Sequence, residues 1–199
     1  MYALVESGSI TKILKGNKGL KIGDIQYPPS IFTLWSESEK NAIGIYTVEI
    51  DSSNYKDRQW YTNTNQSITY DSSAKKVKAT YGTATAKAHA DTLYTQEEED
   101  AGFGTKDAVK NEGLKTQLIR AVKVEAKQIL GETDWYIVRK ADTDEAVPSP
   151  ITTHRAAVRS KQDSMETAIT NASDTAALEA LYTRNDSGAR PLGDLPTLS

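Results

Sequence analysis

The spacing of apolar positions changes once along the chain. Up to residue 81 they come in short, partly alternating runs; beyond residue 106 they recur every third or fourth residue. The first pattern predicts strands and the second amphipathic helices. Tyr2-Ala3-Leu4-Val5 and Ile10-Thr11-Lys12-Ile13-Leu14 predict a hairpin over 2–15, turned at Glu6-Ser7-Gly8-Ser9, where Gly8 is free to take positive φ. Pro28-Pro29 forces extended backbone ahead of Ile31 and Phe32. Ser36 and Glu39 stand at capping-box spacing and predict a short helix over 37–43, ended by Gly44, with Trp35 packed back on it as a staple. Ile45-Tyr46-Thr47-Val48-Glu49-Ile50 predicts a strand. A second hairpin follows: Ile68 and Tyr70 alternate on one strand, Asp71-Ser72-Ser73 turns, and Val77, Ala79 and Tyr81 share a face of the other.

Residues 82–105 have no clear period. Gly82 to Asp91 is small and polar, Glu97-Glu98-Glu99-Asp100 is acidic, and Gly102-Phe103-Gly104 is flexible, so an extended linker is expected there. Leu114, Leu118, Val122, Ala126 and Ile129 then carry a helical stripe, with Gly131 suited to the C-terminal cap. A helix of about 25 residues, roughly 37 Å long, follows from that span. Residues 132–150 make the return, and Pro150 suits the first turn of a second helix bearing Ile151, Val158, Met165 and Ile169. Trp135-Tyr136-Ile137-Val138 is expected to bury itself at the open end of this antiparallel hairpin. Asn171-Ala172-Ser173-Asp174 closes the second helix and caps a shorter third over 175–182. The pattern gives an α+β chain: a β-rich domain over 1–81 with a short helix, a linker over 82–105, a helical hairpin domain over 106–185 and an extended tail over 186–199.

Composition narrows the function classes. Only 38% of residues are hydrophobic, which points to an extended shape or to burial against partners. The net charge is −3, and no basic stripe follows a predicted helix, so no nucleic-acid partner is expected. Lys12, Lys15, Lys18 and Lys21 recur near the N-terminus and are read as a solvated strand and loop. There is no cysteine and there are only two histidines, His89 and His154, which removes disulfides and makes a zinc site unexpected. No apolar run approaches the ~20 residues of a membrane span, and the N-terminus has no signal-peptide core, so no membrane partner is expected.

Candidate chemistry is sparse. The carboxylates of Glu97 to Asp100 diverge on one turn, and Asp142-Thr143-Asp144-Glu145 lacks the rest of a calcium loop; no metal is assigned to either. Neither a nucleophile elbow nor a Gly-rich phosphate loop is present, so no catalytic residue and no cofactor is assigned. His154 falls on the hairpin seam and reads as a packed polar residue. Trp60, Tyr61, Tyr70 and Tyr81 form an aromatic group on predicted strands. Such rings pack in cores or subunit contacts, and they also stack on sugars; they are a possible contact surface.

Leu118, Ala126 and Leu130, followed by Thr133-Asp134-Trp135, a proline-bearing loop and His154-Arg155-Ala156-Ala157-Val158-Arg159, resemble the tail-fibre assembly and tail assembly chaperone domains of tailed bacteriophages. Those domains show a leucine, then S/T-D-W, a loop with proline, and Y/H-R-x-x-L/V-R. The likeness covers 118–160, under a quarter of the chain. Tyr2-Ala3-Leu4-Val5, Pro28-Pro29-Ser30-Ile31-Phe32, Gly44-Ile45-Tyr46, Tyr81-Gly82-Thr83-Ala84 and Arg190-Pro191-Leu192 also resemble, in order, segments of marine tailed-phage proteins that lie among, or are fused to, tail-fibre and virion genes.

The resemblance implies a non-enzymatic structural protein of the virion, at the tail, fibre or neck, present in the host cytoplasm during assembly. Its implied partners are other virion proteins and further copies of itself. Asp134, Trp135, Arg155 and Arg159 are then the hairpin-closing or interaction residues, Asp134 either capping the turn or pairing with Arg155 or Arg159. An assembly chaperone that leaves the particle is the alternative, and a glycan-binding tail module a third. Two departures favour the resident part. Ser160-Lys161-Gln162-Asp163 runs on where the family pattern turns apolar and then to proline, and the N-terminal β part exceeds what a bare chaperone motif needs.

Overall fold

The computed structural model describes residues 1–198. The chain is α+β and divides into two compact units, Met1–Thr85 and Ala86 onward. The first holds β1 (Tyr2–Glu6), β2 (Ser9–Leu14), β3 (Leu20–Ile22), β4 (Ile25–Tyr27), α1 (Ile31–Leu34), α2 (Glu37–Ala42), β5 (Ile45–Asp51), β6 (Tyr61–Thr62), β7 (Gln66–Asp71) and β8 (Lys76–Tyr81), with β9 (Thr85–Ala86) at the boundary. Ser7 and Gly8 both take positive φ between β1 and β2, which matches the twist of a two-residue hairpin turn. Five strands form one mixed sheet in the order β2-β1-β5-β8-β7. β5 runs parallel to β8, with Val48 opposite Val77, and every other pair in this sheet is antiparallel.

Side-chain alternation splits the apolar residues between two faces. Ala3, Val48, Val77 and Ala79 pack on one, with Tyr46, Ile68 and Tyr70 around them. Leu4, Leu14 and Ile45 pack on the other against Leu20, Ile31 and Phe32. Ile31 and Phe32 reach that core from a helical turn, because the amides of both return to the carbonyls of Pro28 and Pro29. α2 carries the expected capping box, with Ser36 and Glu39 each bonded to the other's backbone amide. Trp35, expected as a staple on α2, packs against this core, its indole edge-on to the Tyr27 ring with centroids 5.9 Å apart.

The second unit corrects the expected boundaries. Residues 82–105 are not an extended linker: they contain β10 (Thr92–Leu93) and α3 (Gln96–Asp100), and β10 pairs with β11 (Val109–Asn111). Helix α4 (Leu114–Gly131) accordingly starts later than residue 106 and spans 18 residues, about 27 Å. Gly113 is its N-cap. The amides of Leu114 and Lys115 donate to the carbonyls of Ala88 and His89, while Asp91 accepts from the Gly113 amide and the Thr116 hydroxyl. This segment is held by polar bonds and none of β10, α3 or β11 contains a buried residue, so its order left no apolar period to read.

The return over 132–150 is itself helical for half its length, as α5 (Asp134–Thr143). α6 (Ser149–Asn171) starts with Pro150 in its first turn and packs antiparallel to α4. Val122 and Ala126 of α4 and Val158, Met165 and Ile169 of α6 are the buried seam residues, and Lys115 and Lys123 of α4 bond Thr170 and Glu166 of α6. Asp174 caps α7 (Thr175–Tyr182). The terminal segment lies against its own unit: Leu192 and Leu195 are buried, the Leu192 amide donates to Leu181, and the Lys161 ammonium bonds the Leu192 carbonyl.

Candidate interaction surface

Thr133 sits at the joint between α4 and α5, where its φ of −115° and ψ of 5° break the helical run. It is buried, and its hydroxyl donates to the Leu130 carbonyl at 3.0 Å. Arg155, on the facing side of α6, is only 7% exposed. Its Nη1 donates to Leu130 O and to Thr133 Oγ1, each at 2.7 Å, and its Nη2 lies 2.8 Å from Asp134 Oδ1. One guanidinium therefore meets an end carbonyl of α4 and a carboxylate in the first turn of α5, both favoured by the helix dipoles. Its burial is tolerable because it is paired and bonded. Asp134 pairs with Arg155. Arg159 does not join this clamp; it is exposed and forms no ion pair among the described residues.

Trp135 does not close the hairpin. It is 52% exposed, and Thr133 with Arg155 fills the joint in its place. The reason is geometric: α5 turns away at Thr133, and a residue one position past Asp134 points about 100° round the helix from the clamp. α5 has no buried residue at all. Its apolar side chains face solvent, with Ile137 44% and Val138 67% exposed. The indole stacks on Tyr136 with ring centroids 3.8 Å apart, and the Arg139 guanidinium lies 4.9 Å from it. Arg139 also pairs with Glu145 at 3.2 Å, past the left-handed Asp144 that ends the helix. These stacking contacts stiffen an arm that the core does not hold.

A cavity of about 240 Å³ opens beside the arm, lined by Ile137, Val147, Thr152, Arg155, Ala156 and Arg159. His154 of α6 is buried, and its Nε2 has no hydrogen-bond partner among the described residues. Val147 and the outward face of Ile137 and Val138 were not foreseen as surface. The available signal was the spacing of Trp135 and Val138, an apolar pair three residues apart with no helix assigned to cover it.

The second aromatic group is not an open platform. Trp60 and Tyr61 are buried, at 3% and 7% exposure, Trp60 lying in the turn before the two-residue β6. Tyr70 packs on Tyr46 with centroids 5.1 Å apart and the two hydroxyls 3.3 Å apart. Tyr81 meets Tyr55 edge-on. The four expected rings therefore do not share an exposed face on which a sugar could stack. Among the described residues no three His, Asp or Glu side chains gather as metal ligands. Glu98 of the acidic run is already engaged: Lys110 and the Thr95 amide hold its carboxyl below the ordinary carboxylate range. No described helix is long and apolar enough to cross a membrane.

No protein-family model, no curated protein and no solved structure matches the chain significantly.

Proposed function

We propose that this protein is a structural, non-enzymatic component of a tailed-phage virion, at the tail, fibre or neck, and that it works through protein contacts made by the α5 arm. The observation that carries the reading is the arm itself. A helix of ten residues is marginal alone in water, well under the ~12–15 residues that isolated helices need. Here it presents Trp135, Ile137 and Val138 outward and is fastened at one end by a buried arginine. Exposed apolar patches of this kind mark interaction sites, and Trp and Arg are the residues that most often anchor them. The likeness of Thr133-Asp134-Trp135 and His154-Arg155 to phage assembly domains supplies the class of assembly.

The same motif supports the second reading, an assembly chaperone released before the particle is complete. The unbroken run of α6 through Ser160-Lys161-Gln162-Asp163 favours the resident part. Burial of Trp60 and Tyr61 weighs against the glycan-binding module. The partners are other virion proteins, met in the host cytoplasm as particles form. Mass spectrometry of purified particles of the encoding phage tests the choice. A structural copy number is expected; absence from particles whose lysate contains the protein would overturn the resident role and leave the chaperone.

A further inference from the structure

A larger cavity lies in the first unit, in the loop that joins β2 to β3. It holds about 430 Å³ and is framed by residues 12–20. Lys12, Lys15 and Lys18 all line it, and no carboxylate does. None of the three lysines forms an ion pair among the described residues. Residues 1–36 contain only two acids, Glu6 and Asp24, and both are engaged elsewhere. Glu6 accepts from the Thr11 hydroxyl at 2.6 Å, and Asp24 lies 3.7 Å from the Lys21 ammonium. Three positive charges therefore share one concavity with no counter-charge from its own walls. The backbone has free donors as well: the amides of Gly16, Asn17, Lys18 and Gly19 donate to no group of the chain among the described residues. The loop is nonetheless fixed in place. Leu14 and Leu20 at its ends are buried in the core that holds Ile31 and Phe32. Gly16, at a φ of 77°, lies so close to the Tyr2 ring that a Cβ would come within 2.7 Å of it, and a Cβ on Gly19 would come within 2.6 Å of the Tyr27 carbonyl oxygen. Close packing holds this loop and leaves its amides available, as in other backbone concavities that bind anions.

We propose that this loop binds a phosphorylated small molecule, with the phosphate among the lysine ammonium groups and the free amides. A phosphate group brings close to two negative charges and several acceptor oxygens, which suits ammonium groups acting as point charges. A carboxylate would favour the planar fork of a guanidinium, and no arginine lines the cavity. The volume falls within the ~300–1,000 Å³ typical of small-molecule sites and exceeds what a lone phosphate fills. Ile13, 42% exposed, joins Leu14 and Leu20 in the lining and offers an apolar wall to the carbon part of such a ligand. A nucleic-acid backbone is the less favoured source of phosphate. It is met by a basic stripe along a face, whereas these lysines surround one hollow on a chain of net charge −3. The site lies in the unit that does not contain α5, so the proposal is independent of the contact role of the arm.

The test is an amide NMR titration of the full chain with inorganic phosphate, pyrophosphate and glycerol phosphate, at constant ionic strength. Saturable shifts at Gly16, Asn17, Lys18 and Gly19 are expected, with a dissociation constant of roughly 0.1–1 mM. Glycerol phosphate should bind more tightly than inorganic phosphate and also shift Ile13. Lys15→Gln and Lys18→Gln should each weaken binding by about tenfold. Both side chains are exposed, so the spectrum outside the loop should not change. Lys106→Gln, at an exposed lysine of the second unit, should leave binding as it is. Loop amides that do not respond to about 10 mM of any probe overturn the proposal. So do shifts that sodium chloride reproduces at equal ionic strength, and binding indifferent to both loop substitutions. Tighter binding of inorganic phosphate than of glycerol phosphate overturns the organic ligand. Tighter binding of a short duplex DNA than of any small probe overturns the small molecule and assigns the loop to a nucleic-acid backbone.

Discussion

Arg155→Met separates the two arginines of the motif. Methionine keeps most of the aliphatic stem and removes the guanidinium, so packing against the α4–α5 joint is largely retained. Two charge-assisted bonds are lost, to Leu130 O and Thr133 Oγ1, each at 2.7 Å. Bonds to charged groups contribute about 1.5–3 kcal/mol each, so the gross loss is about 3–6 kcal/mol. Three features reduce it. Leu130 O still accepts from the Thr133 amide and hydroxyl, the Thr133 hydroxyl keeps that bond, and the Asp134 side chain, 61% exposed, regains water. Removing a desolvated cation outright also returns part of its burial cost. The net expectation is about 2 kcal/mol, toward the low end of changes that break a buried network. Arg159→Met removes an exposed, unpaired group and should change stability by less than about 0.5 kcal/mol. Urea unfolding followed by far-ultraviolet circular dichroism reads both, since α4 to α7 hold most of the helix. Equal midpoints for Arg155→Met and the wild type, or equal losses for the two arginine variants, would refute the clamp.

Gly113→Ala should destabilise by about 1–3 kcal/mol through overpacking, because the added Cβ would lie 2.3 Å from the backbone of Ala90; faster hydrogen exchange at Leu114 and Lys115 is the expected sign. His154→Leu should raise the melting temperature, since it removes a buried Nε2 without a partner, a defect worth about 1–3 kcal/mol; a lower temperature would mean that the ring is bonded. Glu37 is held below the ordinary carboxyl range first by Lys40 and then by Thr47, and Glu39 by the Ser36 hydroxyl and then its amide. With folded values below unfolded ones, this stabilisation is complete above the unfolded value of about 4.3 and is lost as pH falls through the lowered values. Protection of the α2 amides, taken relative to the intrinsic exchange rate at each pH, should therefore fall only on acidification and stay flat near neutrality.

The two hairpins, the capping box, Pro150 and the α4–α6 seam were legible because each depends on local chemistry or on a periodic apolar stripe. Leu114, Val122, Met165 and Ile169 announce their burial by spacing alone. The 86–113 segment was not legible, because Asp91, Gly113 and Thr95 organise it through hydrogen bonds that leave no period. Trp135 was misplaced for a related reason. A tryptophan next to a helix joint is read as buried, yet Thr133 and Arg155 already fill that joint, and only the turn of α5 decides which way the indole points. Arg155 and Arg159 are indistinguishable in the motif; the fold buries one and leaves the other free.

The most direct test of the account is the content of particles assembled with Trp135→Ala in place of the wild-type chain. Trp135 lies outside the core, so the variant should fold with an essentially unchanged melt, yet quantitative mass spectrometry should find it depleted from purified particles. Incorporation at the wild-type copy number would contradict the claim that the exposed arm is the surface by which this protein joins its assembly.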